Sequence, residues 1–208
     1  MWRHGRTPWN LEDRFQGHTD IALDDVGLAQ ARSAALVLAT LEPSAILSSD
    51  LQRARATAEC LAGLMDLSVT VDPRLRETDG GAWEGRTGAE IRAVDALAYA
   101  RWRSGADVAA GGAETRSDVA ARAQAAIESA FDDLPDQAVL VVVTHGGTAR
   151  AAIGRLLGLP AEQWRILGGL ANACWSVLTS SGSPPDGAWR LTEHNAGSLP
   201  QPVVGDDR

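Results

Sequence analysis

The chain lacks most of what would send it to a membrane, a disulfide scaffold or nucleic acid. Its 208 residues include two cysteines, Cys60 and Cys174, far apart in the sequence. One distant pair offers neither metal-ligand spacing nor a disulfide framework, so a reducing compartment, the cytoplasm, is expected. No apolar run approaches the ~18 residues of a membrane span. The opening Met1-Trp2-Arg3-His4-Gly5-Arg6 has no apolar core of a secretory leader. Positive charge is scarce: 19 Lys+Arg stand against 27 Asp+Glu, a net charge of −8. Such a chain is a poor partner for nucleic acid, which asks for a basic face. A local basic pocket for a small anion is still allowed. Repeats and low-complexity tracts are absent. What is there is ordinary globular material, 45% apolar and 22% charged. One domain over residues 1–208 is expected, soluble and intracellular.

Hydrophobic periodicity organises the chain. Residues 4–23 read as polar loop. Apolar positions three and four apart predict a helix over 24–41, capped by Asp24. Residues 45–48 form a short apolar strand. Ser49 or Asp50 is then expected to cap a second helix bearing Leu51, Ala54, Ala58, Leu61 and Met65 on one face. A strand at 68–71 leads to a glycine-containing loop at 73–86. The Gly/Ala-rich stretch 105–113 reads as a flexible connector or a lid. A helix follows to about Asp133. The run at 138–143, AVLVVV, is apolar throughout, as suits a central parallel strand buried on both faces. A Gly-Gly turn, a helix at 148–157 and strands at 173–179 and 188–193 complete the pattern, the last two joined across 180–187. Alternating strands and helices predict an α/β sheet covered on both faces. Any strand leading into His4 is only three residues long, so either the native start lies upstream or that edge of the fold is abbreviated.

Open α/β sheets place ligands beyond the carboxyl ends of their strands. The first predicted strand is followed by Arg3, His4, Gly5 and Asn10, and the second by Ser48, Ser49 and Arg53. Arg74, Arg76 and Glu77 follow the third. Thr144, His145, Gly146 and Gly147 follow AVLVVV. Two histidines, several arginines and a glutamate therefore collect at one edge. Arginines hold a phosphoryl group through charge-assisted, often bidentate bonds. A neutral imidazole can attack phosphorus covalently. The second histidine and the arginines stabilise the transition state. A carboxylic acid can serve the leaving oxygen and then the incoming water. Two histidines and a carboxylate could also form a metal triad, but Arg3 and Arg53 in the same cleft would repel a cation. No metal or other cofactor is expected.

These segments resemble the motifs of the histidine phosphatase superfamily, also called the phosphoglycerate mutase-like family. Arg3-His4-Gly5-Arg6-Thr7-Pro8-Trp9-Asn10 is similar to its signature, and Arg14 to Asp20 to the stretch behind it. Ser48 to Ala54, Arg74 to Glu77 with Trp83-Glu84-Gly85, and Thr144 to Gly147 match three further motifs in family order. The resemblance implies a three-layer α/β/α sandwich around a mainly parallel sheet. It implies His4 as phosphorylated nucleophile, Glu77 as general acid/base, and Arg3, Arg53 and His145 completing a phosphate pocket. Asn10, Gln16, Gly17 and Gly146 would add contacts to phosphate or substrate. Asp79 and Glu84 are neighbouring carboxylates that compete for the role of Glu77. Arg6 stands where the family usually has an acidic residue or Gln, and faces solvent or pocket, as does Arg76. His18 and His194 read as structural or rim residues. Trp9 and Trp83 read as packing residues that could line the pocket.

The implied activity is metal-independent hydrolysis of a small phosphorylated metabolite of phosphoglycerate or sugar-phosphate type. The segments at 74–85, 167–175 and 189–195 resemble those of family members acting on glucosyl-3-phosphoglycerate, which implies that compound as the substrate. A phosphoglycerate mutase and a non-catalytic phosphate-binding protein are the alternatives, although the chain lacks room for the longer insertions of mutases. Neither nucleic acid nor membrane is an expected partner. A homodimer is expected, with the strand at 173–179 available to pair at a sheet edge.

Overall fold

In the computed structural model, which describes residues 1–180 and 189–197, the apolar run near 140 becomes β4 (Leu140–Thr144). It lies between β2 (Ala45–Ser48) and β1 (Trp2–Arg3). The full sheet has the order β3-β2-β4-β1-β5-β6, with β3 at Val69–Val71, β5 at Trp175–Ser180 and β6 at Trp189–Ala196. β3, β2, β4 and β1 run parallel, and β5 and β6 return antiparallel. Six strands, mostly parallel and flanked by helices, match the expected α/β class.

Side-chain alternation along β2 and β4 sorts the core into two layers. Ile46, Val141 and Val143 pack with Trp2 against α2 (Asp25–Leu38) and α3 (Gln52–Met65), through Ala31, Ala35, Ala58 and Leu61. Leu47 and Val142 point the other way. They meet Ala123, Ala126 and Ile127 of α6 (Arg116–Asp132) and Ala152 and Leu156 of α7 (Gly146–Leu156). Alanines at the helix contacts let these layers sit close to the sheet. A third cluster joins Phe15, Trp83, Ile91, Trp102 and Ala110 beneath α4 (Gly88–Val94) and α5 (Ala96–Arg103).

Several expectations change. β1 is even shorter than expected, and it is interior, pairing with β4 at Trp2↔Val143 and Arg3↔Thr144 and with β5 at Trp2↔Trp175. It is no abbreviated edge. β5 is interior too, so it cannot pair with another chain; among the described residues β6 and β3 are the edges. Residues 8–11 are not loop but α1 (Pro8–Leu11), closed by a reciprocal Thr7–Asn10 capping box. Neither Ser49 nor Asp50 caps α3. Its N-cap position is Leu51, and the Gln52 amide donates instead to Asp20 Oδ1, from a distant loop. Gly146 and Gly147 open α7 rather than turning before it. The 105–113 stretch is no loose connector: Ala110 is fully buried and bridges to Glu114, and Ala82 donates to the Gly111 carbonyl. The predicted junction at 180–187 lies, beyond Ser180, outside the described residues. No helix among the described residues is long and apolar enough to cross a membrane.

Candidate active site

Pairing of Ser48 with Val143 and of Arg3 with Thr144 ends β2, β4 and β1 at nearly one level. The residues that leave those ends meet. His4 follows β1 and is buried, with its amide on the Thr144 carbonyl. Its Nδ1 lies 2.7 Å from the Gly5 carbonyl, so the ring proton sits on Nδ1 and Nε2 keeps its lone pair. The loop behind it is pinned: the Gly5 amide donates to Thr57 Oγ1, and a methyl at Gly5 would stand 2.2 Å from the Gly27 carbonyl of α2. Only glycine fits there.

His145 follows β4, with its ring centroid 5.1 Å from that of His4. Arg53 reaches it from the first turn of α3, Nε donating to His145 Nδ1 at 3.2 Å. The His145 proton is therefore on Nε2, directed at Ser49 Oγ 2.9 Å away. Arg53 also donates to the carbonyls of Thr19 and Gly17, at 2.8 Å each. Arg3 Nη1 donates to the Leu170 carbonyl at 2.7 Å. Both guanidiniums are buried. Burial, then the charges of Arg53 and Arg3, hold His4 well below the ordinary histidine pKa. His145 is lowered likewise, by burial first and Arg53 next. Both rings are neutral at pH 7, as attack by a lone pair requires.

Glu77 is buried against the N-terminus of α7. Its Oε1 accepts from the Thr78 and Thr148 amides and its Oε2 from the Gly147 amide, at 2.8, 3.1 and 3.1 Å. A methyl at Gly147 would stand 2.6 Å from that carboxylate. The competing carboxylates are used elsewhere. Glu84 accepts from the His18, Thr19 and Gly80 amides and the Thr19 hydroxyl, which folds the 17–19 loop around Arg53. Asp79 accepts from the Gly81 amide and stands 3.8 Å from His18.

Asn10 joins the group through α1. Its Oδ1 accepts from the Thr7 amide and from Asn172 Nδ2, both at 3.1 Å. Its Nδ2 is a buried donor with no hydrogen-bond partner among the described residues, and buried donors rarely stay so. Gln16 is buried alongside, its Oε1 accepting from the Thr7 hydroxyl. Gly17 supplies its carbonyl to Arg53, and Gly146 is buried at the start of α7. Thus the sequence-chosen His4, Arg3, Arg53, His145, Glu77, Asn10, Gln16, Gly17 and Gly146 converge at one sheet edge.

Other residues stay outside. Arg6 pairs with Asp24 at 2.8 Å, and Arg76 with Asp50. His18 Nε2 contacts the Glu77 carbonyl, and His194 lies between Ser176 and the Gly168 carbonyl. Trp83 is core, and Trp9 packs over Gly85. Sequence reasoning missed the roles of Thr7 and Asn172. The T-x-x-N spacing of a capping box signals the first. Nothing local signals Asn172, whose Nδ2 also meets the His4 and Gly5 carbonyls. It missed Arg122 as well, which pairs with Glu114 and donates to the carbonyls of Arg74, Arg76 and Glu77 at 2.6 to 2.8 Å.

Residues 1–196 match the family model of the histidine phosphatase superfamily (branch 1). A glucosyl-3-phosphoglycerate phosphatase of Mycobacterium tuberculosis is 42% identical over 208 residues, covering 94% of this chain and 93% of that protein. One of Mycolicibacterium vanbaalenii is 40% identical over 209 residues, with the same coverage. A solved mycobacterial glucosyl-3-phosphoglycerate phosphatase in complex with VO3 superposes with a TM-score of 0.89 at 41% identity, covering 95% of this chain and 98% of that one. The complex of the mycobacterial enzyme with inorganic phosphate superposes with a TM-score of 0.87 at 40% identity, covering 94% and 95%.

Proposed function

The chain belongs to the histidine phosphatase superfamily (branch 1), and from that premise we propose that it hydrolyses a phosphomonoester through a phosphohistidine formed on His4. The single observation that carries this reading is on His4, whose Nδ1 lies 2.7 Å from the Gly5 carbonyl. Its Nδ1 proton is tied to the Gly5 carbonyl, which leaves the Nε2 lone pair beside two buried guanidiniums. His4 Nε2 attacks phosphorus in line, an N–P bond forms, and the ester P–O bond breaks. The Glu77 carboxyl gives its proton to the departing alcohol oxygen. Glu77 then takes a proton from water, whose oxygen attacks phosphorus. The N–P bond breaks, inorganic phosphate leaves, and the histidine returns to its starting state. Arg3, Arg53 and His145 face the charge that develops on the equatorial oxygens. The orphan Nδ2 of Asn10 offers a further donor, with Gln16, Gly17 and Gly146 lining the same pocket.

The substrate we assign is glucosyl-3-phosphoglycerate, supported by the two mycobacterial relatives that carry this name at 40% and 42% identity over nearly their whole length. The chain acts as a single domain. The two free cysteines suit a reducing cytoplasm. A homodimer is the assembly we favour, and β6 rather than β5 is the edge it could use.

Phosphate release from a panel of phosphorylated metabolites, without added metal and with His4→Ala as the blank, tests the proposal. Preference for glucosyl-3-phosphoglycerate is the expected result. Release that persists in His4→Ala would end the nucleophile assignment. Turnover that needs 2,3-bisphosphoglycerate and returns phosphate to substrate would make the enzyme a mutase.

A further inference from the structure

Glu77 sits in a stretch of chain with no ladder of its own. Residues 76–80 follow the 3-10 turn Pro73–Leu75 and belong to no helix or strand. Their backbone carbonyls must find donors elsewhere. One side chain supplies three. Arg122, half-buried on α6, donates through Nη1 to the Arg74 and Arg76 carbonyls at 2.7 and 2.6 Å, and through Nη2 to the Glu77 carbonyl at 2.8 Å. Its other two N–H groups go to Glu114, Nε to Oε1 at 2.7 Å and Nη2 to Oε2 at 2.9 Å. All five guanidinium donors are thus engaged, three on one bend of the chain and two on one carboxylate.

The Arg76 and Glu77 carbonyls belong to the two peptide planes that flank the Glu77 Cα. Fixing both planes fixes the two soft dihedrals of Glu77, and with them the direction in which its side chain leaves the backbone. The Thr148 hydroxyl adds a second donor to the Arg76 carbonyl, and His18 Nε2 meets that of Glu77. Glu114 closes the frame on the other side of Glu77, accepting from the Asp79 amide at 3.0 Å. At the far end of the side chain the Thr78, Gly147 and Thr148 amides receive the carboxylate. Every donor of Arg122 is spent on the loop and on Glu114, so it acts on the chemistry only through Glu77.

We propose that Arg122, held by Glu114, is the positioning residue for the proton donor: it sets where the Glu77 carboxyl stands, and so how well a poor leaving group is protonated. The proposal rests on the phosphatase reading for the role of Glu77. A lysine keeps the charge but gathers its donors at a point, and it cannot serve three carbonyls and a carboxylate at once. A shift of about 1 Å at a reacting group can cost about 10²-fold in rate. Here the cost falls on esters whose departing oxygen needs the proton.

Arg122→Lys tests this on 3-phosphoglycerate, an alkyl ester, against p-nitrophenyl phosphate, whose leaving group needs no proton. kcat should fall about tenfold or more on the alkyl ester with KM nearly unchanged, and by less than about threefold on the aryl ester. In a Glu77→Gln background the same substitution should cost less than about threefold on the alkyl ester, since the donor it positions is gone. Equal losses on the two esters, or an undiminished loss without Glu77, would overturn the proposal. Glu114→Gln loosens the fork from its other side and serves where an Arg122 variant fails to fold. The same bias against the alkyl ester is expected, and its absence would overturn the proposal. A second arm needs no turnover. The Thr78, Gly147 and Thr148 amides should exchange with solvent about tenfold faster or more in either variant, while those of β4 keep their wild-type protection. Unchanged exchange at the three amides, or equal acceleration in β4, would overturn it. Should wild type hydrolyse neither ester while the three amides respond in this way, the phosphatase reading fails and the positioning of Glu77 by Arg122 stands.

Discussion

At the strand ends, His4, Arg53 and His145 are buried and each is bound by directed hydrogen bonds to its neighbours. A cap at residues 88–115 is held chiefly by rings, with Glu114 also bonded to Arg122 and to the Asp79 amide. Phe15, Trp83, Tyr99 and Trp102 meet one another at centroid distances of 5.7 to 6.3 Å, mostly tilted or edge-on. Directed bonds tolerate almost no displacement, whereas ring contacts worth about 0.5–1.5 kcal/mol each allow small slides. On the proposed chemistry the floor holds the reacting atoms, while Trp102, Arg103 and Gly105 of the cap line a separate cavity. Substrate range can change in the second region while the chemistry is kept in the first.

His4→Ala should be the sharpest break between the regions. It should remove turnover by about four orders of magnitude or more, while the melting temperature shows that the fold persists. A smaller loss, measured on p-nitrophenyl phosphate and on an alkyl phosphate alike, would move the nucleophile elsewhere. Glu77→Gln comes next. Loss of acid catalysis should cost about 10²–10⁴ on an alkyl ester, and clearly less on p-nitrophenyl phosphate, whose leaving group needs no proton. Equal losses on both would remove Glu77 from proton transfer. Gly147→Ala should lower kcat on alkyl esters by about tenfold or more, because a methyl group displaces the Glu77 carboxylate.

Trp102→Ala attacks the cap alone. It should destabilise the protein by about 3–5 kcal/mol, read as a lower denaturation midpoint. kcat for p-nitrophenyl phosphate should change far less than in His4→Ala. A loss matching that of His4→Ala would show that the two regions are not separable. The smallest effect concerns pH. His4 and His145 have folded pKa values below the ordinary 6.5, so the unfolded chain binds more protons below about pH 6.5. Their contribution to stability is complete above that value and shrinks as pH falls toward the folded values. The denaturation midpoint should therefore drop between pH 7 and pH 5. His145→Asn should reduce the slope, and a midpoint independent of pH in wild type would contradict the neutral pair.

The floor was far more legible in the sequence than the cap. His4, Arg53, Glu77 and His145 each sit in a short run of polar and glycine residues directly after an apolar strand, and strand ends are where such sheets converge. β4 announced itself because burial on both faces leaves no polar position. The interior place of β1 was hidden, since it depends on pairing with strands about 140 and 170 residues away. Capping of α3 by Asp20 and the contacts of Asn172 were hidden for the same reason. The 105–113 stretch looked like a connector because glycine and alanine carry no periodicity. Its order comes from Trp102 and Phe15, which its own residues do not reveal.

The Arg122 side chain gives the two regions a common timetable. It grips Glu114 of the cap with one side and the carbonyls beneath Glu77 with the other, while Glu114 also accepts from the Asp79 amide. A cap that swings far enough to let product out would draw Glu114 from Arg122 and slacken the loop that carries Glu77, the proposed proton donor. Product escape and rearming of the acid would then proceed as one event.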